Sequence, residues 1–169
     1  MIFGRESDLE SFIRELIAER IADDRLKLSV LEQRKIGDIV ICRDGPHPTA
    51  FFIEVKFHKA NHGCMGFGHR KGGGFQPEIL KKQPAYFEQN LRWVIGSETK
   101  EREVLFLTSS KIREYVSGGK VEDKYNNIRK RILECEHWKN FKELESELRE
   151  WLADTAQKKG GSGRAKRGR

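Results

Sequence analysis

Cysteine is scarce in this chain, and Cys42, Cys64 and Cys135 are odd in number and fit no framework spacing. That argues against a disulfide-stapled domain and sets a reducing cytoplasm as the expected setting. Long apolar runs are missing as well. No segment approaches the roughly 20 residues of a membrane span, so no membrane partner is expected. The opening residues, MIFGRESDLESF, have neither a basic n-region nor an apolar h-region, and no secretory signal is expected. No stretch of the chain repeats another. Acidic residues are absent from the tail QKKGGSGRAKRGR, which holds Lys158, Lys159, Arg164, Lys166, Arg167 and Arg169. Subtracting those six from the net charge of +7 leaves the remainder near +1. Residues 156–169 therefore read as a disordered basic tail, either a nonspecific phosphate-binding arm or a cloning remnant.

What is present suits one globular domain. The 169 residues are 37% apolar and 35% charged, enough for a single core and too few for two. The expected domain covers residues 1–155, with a core over about 7–110 and added helices over about 111–155. Charge is distributed unevenly. Between 56 and 82, Lys56, Lys59, Arg70, Lys71, Lys81 and Lys82 face one acid, Glu78, whereas 134–154 has seven acids against three bases. A polyanion approaching one side would suit that asymmetry, and so would ordinary charge heterogeneity.

Periodicity predicts the elements. Ser7 and Glu10 have capping-box spacing, and Leu9, Phe12, Ile13, Leu16, Ile17 and Ile21 recur at helical intervals, predicting a helix over 8–22. LKLSVLEQ (26–33), KIGDIVICR (35–43) and TAFFIEVKF (49–57) read as three antiparallel strands, the last two joined by the turn DGPHP. A Gly-rich segment without period runs from His58 to Gln76. Pro84 predicts the start of a second helix, with Phe87, Leu91, Val94 and Ile95 inward and Gly96 as its stop. A short turn over 77–82 precedes it. EVLFLTSS (103–110) predicts a fourth, central strand. Helices are expected at 111–117, 121–134 and 141–154, the last with Leu144, Leu148, Trp151 and Leu152 on one face. The expected fold class is α/β with a mixed sheet.

Chemistry concentrates in FFIEVKF. Alternation puts Phe52, Glu54, Lys56 and His58 on one face of that strand. Asp38, Val40 and Cys42 share a face of the strand before it. An antiparallel register summing to 92 places Asp38 opposite Glu54, with Lys56 one step beyond; slipping by one would separate them. Two carboxylates that close need a bridging cation or a shared proton. Oxygen ligands of this type describe a Mg²⁺ site, with Mn²⁺ the alternative. A neighbouring lysine can position the attacking water, and lysine and metal together stabilise charge growing on phosphorus. The competing reading is a solvated Glu–Lys pair on a half-exposed strand.

Asp38 in GDIVI, followed after a hairpin by Glu54, Val55 and Lys56 in FIEVK, resembles the PD-(D/E)XK nuclease superfamily. The resemblance spans about residues 7–110. It implies a restriction-endonuclease-like core: helix, three-strand antiparallel meander, helix, strand, with the C-terminal helices as additions. It implies further that Asp38, Glu54 and the Val55 carbonyl bind Mg²⁺ while Lys56 serves the hydrolytic water. Gly37 stands where members often have proline. Many members add an acid from the first helix; Glu10 is the candidate, although the capping box also explains it, and Glu6 is a second. Gln83 and Tyr86 echo a Gln–Tyr pair of some members, one residue short in spacing.

The segment HKANHGCMGFGHRKGGGFQ supports two readings. His58, His62, Cys64 and His69 are zinc-type ligands, but their spacing matches no standard knuckle. The preferred reading is a loop laid against DNA, with Lys59, His69, Arg70, Lys71, Gln76, Lys81, Lys82, Gln83 and Tyr86 contacting phosphates or bases. The resulting expectation is a Mg²⁺-dependent endonuclease acting on double-stranded DNA, most like a type II restriction enzyme. It would work as a homodimer or as a subunit beside a separate recognition protein. A Holliday-junction resolvase or repair nuclease is the rival within the class. A non-catalytic DNA-binding or interaction domain is the rival outside it.

Overall fold

The fold is given by a computed structural model, which describes residues 3–23, 28–32, 37–46, 48–61, 64–66, 84–117, 121–122, 127–129 and 134–154. It is α/β. Helix α1 spans Glu6–Glu15 and runs into a π-helical segment, Leu16–Ile21. Strands β1 (Leu28–Glu32), β2 (Ile39–Arg43) and β3 (Thr49–His58) follow, then β4 (Cys64–Gly66). Helix α2 (Pro84–Asn90) leads directly into β5 (Leu91–Ser97), β6 (Lys100–Thr108) and helix α3 (Ser109–Ser117). The short strands β7 (Val121–Glu122), β8 (Asn127–Arg129) and β9 (Lys139–Asn140) precede helix α4, Phe141–Asp154.

The main sheet has the order β1-β2-β3-β5-β6-β9 among the described residues. β1, β2 and β3 form the expected antiparallel meander, β5 runs parallel to β3, and β6 and β9 return antiparallel. The sheet is therefore mixed. Its two faces bury separate cores. On one, Ile39, Ile41, Phe51, Ile53, Val55, Val94 and Val104 pack with Leu9, Ile13 and Ile17 of the first helix and Leu144, Leu148, Trp151 and Leu152 of α4. On the other, Val40, Phe52, Leu91, Trp93, Ile95, Leu105 and Leu107 pack with Phe87 of α2 and Ile112 and Tyr115 of α3. The alternation of β3 divides its side chains between these layers.

Helix α4 docks as its apolar stripe predicts, and two polar contacts fix its end. Buried Arg43 donates to the Leu152 carbonyl at 2.7 Å, and the Trp151 indole donates to the Gln89 carbonyl at 2.6 Å. None of the described helices is long and apolar enough to cross a membrane.

Several expectations need correction. Helix α1 begins at Glu6 with Arg5 as its N-cap, and no side chain caps it, so the Ser7–Glu10 box does not form. Asp8 instead reaches back to the Gly4 N–H at 3.2 Å, which frees Glu10. The helix expected to run from Pro84 to Ile95 ends at Asn90, and Leu91–Ser97 is a strand. A run of alternating bulky residues such as Trp93, Val94 and Ile95 satisfies either period, and burial on both sides decides for strand. The strand read at 103–110 spans Lys100–Thr108 and lies next to the two-residue β9 rather than centrally. Where a helix is expected over 121–134, the described residues include β7 and β8; β8 pairs with β4 and β7 with β8 in a second, three-stranded sheet. A strand therefore also interrupts the Gly-rich segment. The turn at 77–82 and the tail at 156–169 lie outside the described residues.

Gly96 illustrates the correction. It is no helix stop but a mid-strand residue, and a Cβ there would lie 2.9 Å from the Phe57 ring and 3.0 Å from Leu9. The first helix closes onto β5 through that missing side chain. Gly96→Val, though favourable for strand propensity, is expected to destabilise the protein by about 1–3 kcal/mol through overpacking. Urea unfolding at constant pH measures this, and an unchanged midpoint would refute it.

Candidate active site

The ladder between β2 and β3 pairs Ile39 with Ile53, Val40 with Phe52 and Ile41 with Phe51, a register summing to 92. This is the register that directs Asp38 toward Glu54. Beyond the Ile39–Ile53 pair the contact changes character. Asp38 sits in a bend, and its carboxylate accepts the Val55 N–H at 2.7 Å. A side chain thus takes the donor that a continuing strand would have bonded. Gly37 allows this approach, because a Cβ there would lie 3.1 Å from the Ile53 carbonyl oxygen.

Glu54 and Lys56 are on the β3 face shared with Phe52, as alternation requires. Both are sheltered, with side-chain exposures of 3% and 14%. Lys56 Nζ lies 2.9 Å from Glu54 Oε1, 3.7 Å from Asp38 Oδ2 and 3.6 Å from Glu6 Oε1. It also donates to the Val55 carbonyl at 2.6 Å. One ammonium therefore touches three carboxylates and a carbonyl. A solvated surface pair would not be buried in this way.

The first helix completes the site. Carboxylate oxygens of Glu6, Glu10 and Asp38 all lie within 4.8 Å of one another. Glu6 and Glu10 are one turn apart on α1 and so share a face. The sequence ranked Glu10 above Glu6, whereas the fold brings both together, and Glu6 also contacts Lys56. Glu54 is not part of that trio. Its oxygen is engaged by Lys56, and the Val55 carbonyl likewise meets Lys56.

Electrostatics follow from this crowding. Burial raises the Glu54 carboxyl, Lys56 pulls it back and Asp38 raises it again, so that it is pushed up to about 7. For Lys56, burial works against the charge, but Glu54, Asp38 and Glu6 together outweigh it and the ammonium is held above its ordinary range. Glu10 is raised first by burial and then by the charges of Asp38 and Glu6. Like charges at such spacing are held together by a cation, and the Lys56 ammonium supplies one to Glu6, Asp38 and Glu54. The donors are hard oxygens, so the set fits Mg²⁺ or Mn²⁺, with Glu6, Glu10 and Asp38 as the grouped ligands.

Of the residues assigned to DNA contact, Lys59 is exposed just past the end of β3. Tyr86 is 43% exposed on α2, its ring 6.3 Å from Phe52 on the face that carries Glu54. His69, Arg70, Lys71, Gln76, Lys81, Lys82 and Gln83 lie outside the described residues, as does His62 of the zinc-type set. His58 is buried at 3% exposure with Nδ1 3.4 Å from Ser97 Oγ, and Cys64 belongs to β4.

One contact escaped the sequence. Arg14 donates to the Asp38 backbone carbonyl at 2.5 Å and lies 4.0 Å from Glu10. The available signal was the spacing of Glu6, Glu10 and Arg14, two successive four-residue steps along one helix face. No family model, curated protein or solved structure matches this chain.

Proposed function

We propose that the chain is a divalent-cation-dependent nuclease with a PD-(D/E)XK core, hydrolysing phosphodiester bonds of duplex DNA in the manner of a type II restriction endonuclease. The observation that carries this reading is the convergence of Asp38, Glu54 and Glu6 around the Lys56 ammonium, with Glu10 grouped beside Glu6 and Asp38, at the point where β2 leaves β3. The element order supports it: α1, the β1–β3 meander, α2, and β5 parallel to β3.

Each residue has a stated task. Asp38, Glu6 and Glu10 would supply oxygens for the cation, and the Val55 N–H orients Asp38. When bound, Mg²⁺ or Mn²⁺ would supply Lewis-acid charge at the scissile phosphate. Glu54 holds Lys56 in place by its 2.9 Å contact. Lys56 positions the hydrolytic water and offsets the negative charge growing on the phosphate oxygens. Lys59 and Tyr86, both exposed, would meet the DNA flanking the scissile bond. Cutting both strands calls for a homodimer or for a partner subunit that reads the sequence.

The test is a digest of a long linear duplex with Mg²⁺, using wild type and Glu54→Ala, beside a four-way junction. Discrete fragments from wild type alone support the restriction reading. Cutting confined to the junction moves the reading to a resolvase. If neither DNA is cut with Mg²⁺ or Mn²⁺, and neither is retarded in a gel, the nuclease reading falls.

A further inference from the structure

We infer that Arg14 is a positioning residue that sets the affinity of the acidic trio for a divalent cation; this rests on the metal-dependent reading above. The trio is drawn from two separate pieces of chain. Glu6 and Glu10 ride on α1, while Asp38 lies in the bend before β2. No strand pairing holds that bend at Asp38, since the β2–β3 ladder stops at Ile39. Its side chain is tied to β3 through the Val55 N–H at 2.7 Å. Its main chain is tied to α1 through the Arg14 guanidinium at 2.5 Å.

Lys56 bridges the carboxylates of Glu6 and Asp38 at 3.6 and 3.7 Å, and Arg14 adds the link that fixes the Asp38 main chain relative to α1. It follows Glu6 and Glu10 on the same helix face, two turns and one turn further along. The guanidinium is planar and its donors are fixed in direction, which suits clamping a carbonyl better than a flexible ammonium would. Groups that orient ligands without touching the ion commonly change metal affinity by about 10–100-fold when removed.

The sign of the effect separates positioning from plain electrostatics. Arg14 carries a positive charge beside a cation site. If repulsion were its only influence, its removal would tighten binding. Loss of positioning weakens it. The experiment is calorimetric titration of Mn²⁺ alone into wild type, Arg14→Ala and Arg14→Lys, each first shown to unfold cooperatively. Cleavage of a linear duplex is followed across a Mg²⁺ series in parallel. Arg14→Ala is expected to bind Mn²⁺ about tenfold more weakly. Its cleavage should recover to within a few-fold of wild type at saturating Mg²⁺, and Arg14→Lys should restore part of the affinity. Unchanged or tighter Mn²⁺ binding by a folded Arg14→Ala overturns the inference, even if wild type cuts DNA. A wild type that binds Mn²⁺ but neither cuts nor retards DNA removes the nuclease reading, while the weakened binding of Arg14→Ala would still uphold this one. A wild type that binds no Mn²⁺ overturns both.

Discussion

Lys56→Ala is expected to slow duplex cleavage by about 10³-fold or more at saturating Mg²⁺, and to cost stability as well because it leaves buried Glu54 without its counter-ion. The size follows from what the ammonium does. It is held at 14% exposure by three carboxylates, so it acts where water screens poorly. A single preorganised donor aimed at developing charge is worth about 10²–10³-fold, and loss of a positioned proton-handling group about 10²–10⁴-fold. Lys56→Arg should rescue little, because a planar guanidinium cannot occupy the compact position among Glu54, Asp38 and Glu6. Single-turnover cleavage with enzyme in excess reads the chemical step apart from DNA binding. If folded Lys56→Ala cuts within tenfold of wild type, Lys56 is a structural counter-ion and the proposed mechanism is wrong.

The second large effect concerns stability and pH. Glu54 ionises near 4.5 when free, and burial in the fold raises this to about 7. Between those values the folded protein keeps a proton that the unfolded chain has released. Stability must therefore fall as pH rises across that window, and the full penalty is present above about pH 7. The span corresponds to about 3 kcal/mol at most, since each pH unit is worth about 1.4 kcal/mol. Glu54→Gln removes the titrating group and keeps its shape. Relative to wild type, this variant should gain about 2–3 kcal/mol in metal-free buffer on going from pH 5 to pH 8. Denaturant unfolding of both proteins at the two pH values provides the difference. A parallel pH dependence in wild type and Glu54→Gln would mean that Glu54 is charged throughout, neutralised by Lys56. The expected difference would mean that the site sacrifices stability for chemistry, since the variant favoured at high pH lacks the group that holds Lys56.

The residues at the centre of this site were legible in the sequence because they depend on local rules. Alternation alone puts Glu54 and Lys56 on one face, and the length of the DGPHP turn fixes the register that brings Asp38 across. The C-terminal helix was equally legible, since Leu144, Leu148, Trp151 and Leu152 admit only one period. What failed was whatever depended on tertiary context. Leu91–Ser97 satisfies helix and strand patterns alike, and only its position between β3 and β6 selects strand. Glu10 looked like a cap because nothing in the sequence reveals that Asp8 makes the backward contact. The spacing places Arg14 on the face of Glu6 and Glu10, but its contact with Asp38 was hidden for a related reason. Its partner is a backbone carbonyl, and no side-chain pattern records where a distant main chain will pass.

The oxygen cage around Lys56 has a consequence for handling the protein. In many small metal-binding folds the ion is the keystone, and chelation collapses them. Here an ammonium supplied by the chain already contacts Glu6, Asp38 and Glu54, so the architecture would not need an ion to close. A chelator should disarm such a protein without dismantling it. Substrate could then be loaded in the absence of metal and the reaction started by a pulse of Mg²⁺, which would separate the clock of recognition from the clock of cleavage.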